Sequence, residues 1–496
     1  MNPWCLPEVA RAQRELADRQ LQQDPLPIQF RALADAVRFT NCPGDIWEVG
    51  CASGYNREAL DRLGVAYRSY GGNDISPAAV KIARERYPES DWVAGNAELF
   101  DALIADIVID GCALMHASDW GAHLADLCSR SRRWLILHRV PILAQQTHRD
   151  ATHAYGQEFG AWIFKAFDVQ EAAKEHGFAI QEAFASDGNS ATMVFARPRI
   201  YATYADSNYL GRLKALHASM KRHCGPFELH VLAWDEGVED WCKSAGVRFE
   251  LASDYKTDGL PGPPRTTVET MWTIGPQWIV YTMKKTGQAV TYVDADIMFH
   301  SSPEPVFAEI GCAPAAVFPH NFARASQGLP GPTVESHEVF GKYNVGLVYI
   351  ADRAIAEEWA TQCREWCYDR VEGGPRIERG SIWSPGLADV VQVPIPDRLL
   401  RYGDQKYLDD WPGKHGAHVV QHPGAELGPW AIHTRALDVR GGVAHFGNMP
   451  LVAFHYSSYR ELPEGHSVLT RPEYQVAERQ ARIIYSPYIQ ELERQR

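Results

Sequence analysis

The sequence predicts an α/β protein of two domains, and three observations carry that expectation. The first is length. A chain of 496 residues exceeds what one hydrophobic core ordinarily organises, so two domains of about 200 to 300 residues are the natural division. The second is alternation: from Asp45 to Arg197 short apolar runs (DIWEV, AYRSYGG, DWVAG, ADIVID, RRWLILHRV) alternate with helical patterns and finish in two adjacent strands, AIQEAFAS and ATMVFAR. That pattern predicts a mostly parallel, doubly wound sheet with an antiparallel end. The third is a restart at RIYATYA, where a new strand follows the last with only Arg197 to Arg199 as a join. The expected division is a helical lead-in over 1–44, a first α/β domain over 45–198, and a second over 199–496 that closes with a helix.

Composition narrows the function classes. Apolar residues make up 45% of the chain and charged residues 22%, with 15 Trp, which fits two packed cores and excludes a disordered chain. The formal charge of −13 is spread without a basic run, which excludes nucleic acid as the expected partner. Small anionic ligands stay open, since backbone amides, metals and one or two local cations can hold them. The opening MNPWCLPEVARAQREL carries Glu8 and Glu15 and no apolar stretch of signal-peptide length, and no window approaches 18 uninterrupted apolar residues. A cytoplasmic location is expected, compatible with peripheral association with a membrane-bound acceptor. The 10 cysteines lack paired spacing and are expected as reduced thiols, with Cys51, Cys112 and Cys128 in buried surroundings. Cys363 and Cys367, four apart on a predicted helix, have no second ligand pair nearby and are expected to be structural.

The elements follow in order. Pro7 to Phe39 reads as two helices broken at DPLP. After the strand DIWEV, Gly50 and Gly54 allow a tight turn and close approach of a ligand to a helix N-terminus. Asp74, at the end of the next strand, is placed to accept both hydroxyls of a ribose. His116, past the fourth strand, and His138, on the fifth, are each a candidate base or a satisfied structural histidine. In the second half, a helix over Val268 to Lys285 leads to a strand from Gln288 to Val293 and then to Asp294 and Asp296 in YVDADIMF. Two acids so spaced can both face a divalent cation if the backbone turns there, though a solvated turn is the ordinary outcome for so short a pattern. The Pro/Gly-rich stretches Ser326 to Glu338 and Glu372 to Gly386 are expected as lids or acceptor-binding walls. The tail, Pro472 to Arg496, is helical by pattern and expected to pack on its domain.

From about 40 to 197 the chain resembles the class I S-adenosylmethionine-dependent methyltransferases, a Rossmann-like fold. The E-x-G-x-x-x-G turn, here Glu48, Gly50 and Gly54, then surrounds the methionine part of the cofactor, Asp74 holds its ribose, and Asn96 and Ala97 of GNAE lie beside the adenine. Ala52 replaces the middle glycine usual in the turn, and Asn96 the usual acid. The resemblance makes His116 a candidate catalytic base. A nicotinamide-binding domain is the alternative, and its G-x-G-x-x-G is absent.

From about 199 to 459 the chain resembles the retaining, metal-dependent glycosyltransferases of GT-A type, closest in order of motifs to family 8. The resemblance places Ala205, Asp206, Asn208 and Tyr209 of YADSNY near base and ribose. It makes Asp294 and Asp296 metal ligands, with Asp294 also at the nucleotide sugar, and His455 of VAFHYSSY the third ligand. Asn344 of YNVGLVY is set against the donor sugar; in YGDQKYL, Asp404 contacts sugar hydroxyls and Gln405 faces the reacting carbon. The family's basic residue before the acid pair falls on Lys284 or Lys285, and Arg460 is the cation nearest after His455. The implied cofactors are S-adenosylmethionine and Mn²⁺ or Mg²⁺. The implied partners are a nucleotide-sugar donor of UDP type and a glycan or glycolipid acceptor.

The expectation is therefore a bifunctional enzyme of surface-glycan biosynthesis. Its second domain transfers a sugar with retention, and its first transfers a methyl group to the same or a related glycan. The alternative keeps the sugar transferase and makes the first domain a non-catalytic binding or structural module.

Overall fold

The computed structural model describes residues 2–95, 104–255, 265–368, 403–462 and 466–496. It divides into two compact units, Met1–Pro198 with Phe307–Gly311, and Arg199–Val306 with Cys312–Arg496.

The first unit opens with a 3-10 turn at Pro3–Cys5, then α1 (Pro7–Leu21) and α2 (Ile28–Thr40). Pro7 starts α1, where its missing N–H costs nothing. Asn41, in the left-handed region at φ 48°, ends α2. The alternation that follows is β1 (Asp45–Val49), α3 (Tyr55–Arg62), β2 (Ser69–Asp74), α4 (Pro77–Arg86), β3 (Asp91–Ala94), β4 (Ala105–Asp110), α5 (Trp120–Arg130) and β5 (Ser131–Pro141). After β6 (Leu143–Ala154), β7 (Gln157–Lys165) and α6 (Ala166–Glu175) come β8 (Ala179–Ala185) and β9 (Ser190–Ala196). Seven strands form one sheet in the order β3-β2-β1-β4-β5-β9-β8. The first five run parallel, and β9 and β8 join antiparallel. Both faces are covered, so neighbours in a strand serve different cores: Ile46, Ile107 and Ile136 pack on one side, Trp47, Val108 and Leu135 on the other. This is why the strands read as continuous apolar runs.

One element lies outside the expected alternation. Where the sequence pattern passes from RRWLILHRV towards a helix, the structure inserts a separate hairpin of β6 and β7. Its loop is Tyr155-Gly156, with φ of 51° and 74°, the positive pair that a two-residue turn needs to match strand twist.

The second unit is built on β10 (Arg199–Ala205), α7 (Leu210–His223), β11 (Phe227–Ala233), α8 (Glu236–Ala245), β12 (Arg248–Leu251), α9 (Thr267–Thr286), β13 (Val290–Val293) and β14 (Ile297–Phe299). After α10 (Glu304–Ile310), whose residues from Phe307 on group with the first unit, it continues through β15 (Ala315–Pro319), α11 (His337–Phe340), β16 (Tyr343–Ile350) and α12 (Arg353–Glu365). Later come β17 (His418–Val419), β18 (Leu437–Arg440), β19 (Val443–Phe446), β20 (Met449–Pro450), β21 (Ala453–His455) and a terminal helix at Ser486–Arg494. The main sheet has the order β12-β11-β10-β13-β16-β15-β17. Thr266 and Glu269 close a capping box at the start of α9, and Gly287, left-handed at φ 67°, ends it, so both termini are set by local chemistry. A second core gathers Phe446, Phe454, Tyr456, Tyr485, Tyr488 and Leu492, which fixes the tail.

Of the two Pro/Gly-rich stretches, Ser326 to Glu338 includes short 3-10 turns and the start of α11, while Glu372 to Gly386 lies outside the described residues. None of the ten cysteines forms a disulfide; Cys51 and Cys128 are buried and Cys112 half-buried. Cys367 lies past the end of α12 rather than on it. Among the described residues, no helix is long and apolar enough to cross a membrane.

Candidate functional sites

In the first unit the glycine turn links β1 to α3. Gly50 and Gly54 take φ of 77° and 75°, and Ala52 takes 47°, so the residue standing where glycine is usual holds a left-handed backbone at a cost of about 1 kcal/mol. Asp74 compensates. Its Oδ2 accepts from the Ala52 N–H at 2.8 Å and its Oδ1 from the Ser76 N–H at 2.8 Å, tying the turn to the end of β2. Burial holds the Asp74 carboxyl above its ordinary range.

Glu48 is fully buried. It accepts from Asn56 Nδ2 at 2.6 Å and from the Tyr70 hydroxyl at 2.7 Å, and burial pushes its carboxyl up to about 7. It organises the turn from behind. A Cβ at Gly111 would lie 2.5 Å from Glu48 Oε1 and 2.6 Å from the Gly50 carbonyl, so Gly111, unremarked in the sequence, is required at the end of β4. Asp110, also buried, accepts from the Leu114 N–H at 3.0 Å and meets His123 Nε2 at 2.9 Å. It thereby shapes the loop that carries His116.

The two histidine candidates separate. His138 is buried in the sheet with Nδ1 2.9 Å from Thr192 Oγ1, and burial lowers its pKa to about 3, surroundings that match a satisfied structural histidine. His116 ends a 3-10 turn with Nδ1 3.3 Å from the Gly160 carbonyl. Its ring lies 4.8 Å from that of Trp4, which stacks on Phe159 at 4.1 Å. Cys5 donates to the Ile75 carbonyl at 3.4 Å, so the 3-10 turn at Pro3–Cys5 touches both the loop after β2 and the loop after β4. Asn96 and Ala97 lie outside the described residues.

In the second unit, Asp294 and Asp296 stand between β13 and β14. β14 pairs antiparallel with β21 so that Ile297 lies opposite His455. This register brings His455 to an acid pair that begins 161 residues earlier, for the carboxylates of Asp294 and Asp296 and the His455 ring offer ligand atoms all within 4.8 Å of one another. His455 Nε2 is 3.1 Å from Asp296 Oδ1 and 3.6 Å from Asp294 Oδ2. Tyr292 donates to Asp294 Oδ1 at 2.6 Å.

Burial raises Asp294 to about 6. Burial acts on Asp296 in the same direction, but the adjacent His455 outweighs it and holds Asp296 low. His455 itself is held well above its ordinary value: burial disfavours its charge, and Asp296 outweighs that. Two carboxylates and one imidazole are the hard-oxygen-plus-nitrogen set that suits Mn²⁺ or Mg²⁺. A third buried acid, Glu426, stands behind His455 with neither carboxylate oxygen hydrogen-bonded. Burial pushes the Glu426 carboxyl up to about 7; the two aspartates beside it form the acidic pair that fits a cation at this place.

Asp404 is buried near this cluster, and burial, with the charge of Asp294, pushes its carboxyl up to about 8. Its backbone carbonyl accepts from Trp359 Nε1 at 2.9 Å. Gln405 Nε2 donates to the Phe340 carbonyl at 2.6 Å, and Asn344 Oδ1 accepts from the Gly346 N–H at 2.6 Å. After β10, Ala205 closes the strand. Asp206 then accepts from the Tyr209 N–H at 3.1 Å and from Asn208 Nδ2 at 3.0 Å. Asp235, not singled out from sequence, holds this loop by accepting from the Ser207 N–H and hydroxyl, each at 2.7 Å.

The two lysines that precede the acid pair are both engaged in ion pairs. Lys284 pairs with Glu357 at 3.0 Å, and Lys285 pairs with Glu250, because both lie in the last turn of α9, which ends before the strand leading to the acids. Arg212 is better situated. Its guanidinium lies 4.2 Å from the Tyr209 ring centroid, donates to the Tyr459 carbonyl at 2.7 Å, and helps to keep Asp296 ionised.

Residues 47–135 match the family model described as a methyltransferase domain. An uncharacterised protein of Bacillus subtilis (strain 168), YfnD, is 24% identical over 315 residues, covering 59% of this chain and 88% of its own. That match is longer than the whole first unit and so includes residues of the second. A second uncharacterised protein of the same organism, YfnF, is 23% identical over 208 residues, covering 40% of this chain and 58% of its own. Among solved structures, the amino pentose methyltransferase CalS10 of Micromonospora echinaspora is 18% identical, with a TM-score of 0.29, covering 37% of this chain and 96% of that one. The stretch that matches a methyltransferase domain thus lies within the first unit, on its mostly parallel seven-stranded α/β sheet.

Proposed function

We propose that the chain joins two transferases: a first unit that binds S-adenosylmethionine for methyl transfer, and a second that transfers a sugar from a nucleoside diphosphate with retention. The observation that carries the second half is the convergence of Asp294, Asp296 and His455, which the sequence holds far apart, on one point at the end of β13. Asp294, Asp296 and His455 would hold Mn²⁺ or Mg²⁺. A divalent cation bound there supplies stabilisation of the negative charge that grows on the leaving diphosphate.

The chain's own groups then divide the remaining work. Asp404, with its proton kept to about 8, is suited at neutral pH to donate a hydrogen bond to a sugar hydroxyl. Asn344 spends its carbonyl oxygen on the Gly346 N–H, leaving its NH₂ group to donate to the sugar. Gln405 is anchored through its nitrogen by Phe340, which leaves its carbonyl oxygen to face the donor. With an amide there, substitution on the face the leaving group departs from is favoured over a covalent glycosyl-enzyme. The loop at Asp206, Asn208 and Tyr209 would hold base and ribose, with a UDP-sugar as donor and a glycan or glycolipid as acceptor.

In the first unit, Gly50 and Gly54 would admit the methionine part of the cofactor, and Asp74 would accept from its ribose. The contact of His116 with Trp4 and Gly160 favours a second reading of this unit, as a cofactor-binding module without transfer.

Thermal shifts test both halves. S-adenosylmethionine alone, and UDP with Mn²⁺, should each raise the transition temperature, since a ligand at 100 times its Kd adds about 2.7 kcal/mol. No shift with UDP and Mn²⁺ removes the sugar-transferase reading. A mass-spectrometric screen of sugar nucleotides then identifies the donor.

A further inference from the structure

Resting on the divalent-cation reading of the second unit, the geometry points to Glu426 as a positioning residue that holds His455 from behind, fixing which ring nitrogen faces the cation. The His455 ring has two ends in different surroundings. Nε2 looks toward Asp296 at 3.1 Å and Asp294 at 3.6 Å, while Nδ1 looks toward Glu426 Oε1 at 3.5 Å. A histidine that binds a metal through one nitrogen presents its lone pair there and must carry its proton on the other, where an acceptor fixes both tautomer and ring angle. Glu426 is the acceptor so placed.

Two further observations show that the arrangement is built rather than incidental. The Glu426 side chain is 1% exposed, and neither of its oxygens nor His455 Nδ1 has a hydrogen-bond partner. A buried carboxylate left in that condition costs stability, so its presence demands a counterpart, and a closure of a few tenths of an ångström onto Nδ1–H provides it.

The second observation is the residue opposite. A Cβ on Gly346 would fall 2.3 Å from Glu426 Oε1, 2.6 Å from His455 Nδ1 and 3.1 Å from Asn344 Oδ1. Any side chain at 346 would drive Glu426 and His455 apart. Backbone pairing fixes the approach, because Leu427 donates to the Ala453 carbonyl at 3.0 Å and His455 donates to the Leu427 carbonyl at 2.8 Å. The residue before Leu427 is thereby carried alongside β21.

The test is Mn²⁺ affinity of the full chain, read by electron paramagnetic resonance of free Mn²⁺, with no sugar nucleotide and no turnover required. Glu426→Ala should weaken binding 10- to 100-fold. Glu426→Gln, which keeps the shape and one acceptor oxygen, should weaken it less, and its thermal transition without metal shows that the fold survives. The double variant Glu426→Ala, His455→Ala should bind no more weakly than His455→Ala alone, since the acid acts only through the ring. Wild-type affinity in both Glu426 variants, alongside weakened binding in His455→Ala, overturns the role of Glu426 and leaves the cation site standing. Absence of Mn²⁺ binding by the unaltered chain overturns both.

Discussion

At the scale of single residues, Asp296 and Glu48 show opposite uses of a buried carboxylate. Asp296 stays ionised because His455 lies 3.1 Å away. Asp296→Asn removes one charge from the proposed cation-holding set while keeping its shape, and a cation bound there would supply several kcal/mol to a departing diphosphate. At about 1.36 kcal/mol per tenfold, metal-dependent sugar transfer should fall at least about 100-fold, with circular dichroism unchanged. Unaltered, chelator-sensitive turnover in that variant would refute the assignment.

Glu48 keeps its proton up to about 7 in the folded chain, whereas an unfolded glutamate releases it near about 4.3. Between those values the folded state binds more protons, so this residue's contribution is full below the unfolded pKa and is lost as pH rises to about 7. Glu48→Gln, whose amide can still serve Asn56 and Tyr70, should flatten the pH dependence of the unfolding free energy, measured by urea denaturation, across that window by up to about 4 kcal/mol. An identical slope in wild type and variant would show that Glu48 ionises normally.

At the scale of elements, what was legible in the sequence is what is local. The glycine turn, Asp74 after the next strand and the acid pair after β13 each follow from a few neighbouring residues, and helix α9 is fixed by its own caps. Glu426 was not legible, because it meets His455 only through the pairing of Leu427 with Phe454, and nothing near Glu426 announces that register. Gly346 could have been found. A glycine inside a strand marks a place where something comes close, and here it is the Glu426 and His455 pair.

The hairpin of β6 and β7 was missed because its turn is Tyr155-Gly156, without the Asn or Asp that usually marks such a loop. The 3-10 turn at Pro3–Cys5 is the element whose role is most open to measurement. Burial holds the His116 pKa low, and Trp4 supplies part of that cover. Trp4→Ala should cost about 0.5–1.5 kcal/mol of stacking and let the His116 pKa climb towards 6.5, read by NMR titration. An unmoved titration would mean that the ring is covered chiefly by Gly160 and Phe159.

At the scale of the molecule, each proposed site draws its residues from one unit. Glu48, Gly50, Gly54, Asp74 and His116 precede Pro198, while Asp294, Asp296, Asn344, Asp404, Gln405, Glu426 and His455 follow Arg199. A fragment of residues 199–496 is therefore expected to bind Mn²⁺ within about threefold of the full chain by the same resonance titration. A folded fragment with no affinity, restored by adding residues 1–198, would mean that the two sites depend on each other.

The tail adds a constraint of another kind. Tyr456, the residue after His455, stacks on Tyr488 of the terminal helix with ring centroids 3.6 Å apart, and its hydroxyl donates to the Ile484 carbonyl at 3.0 Å. During synthesis the acids of β13 emerge early and the histidine much later, yet the ring's support arrives only with Tyr488. A product cut after His455 would keep all three proposed cation ligands and lose the ring that braces the residue beside them.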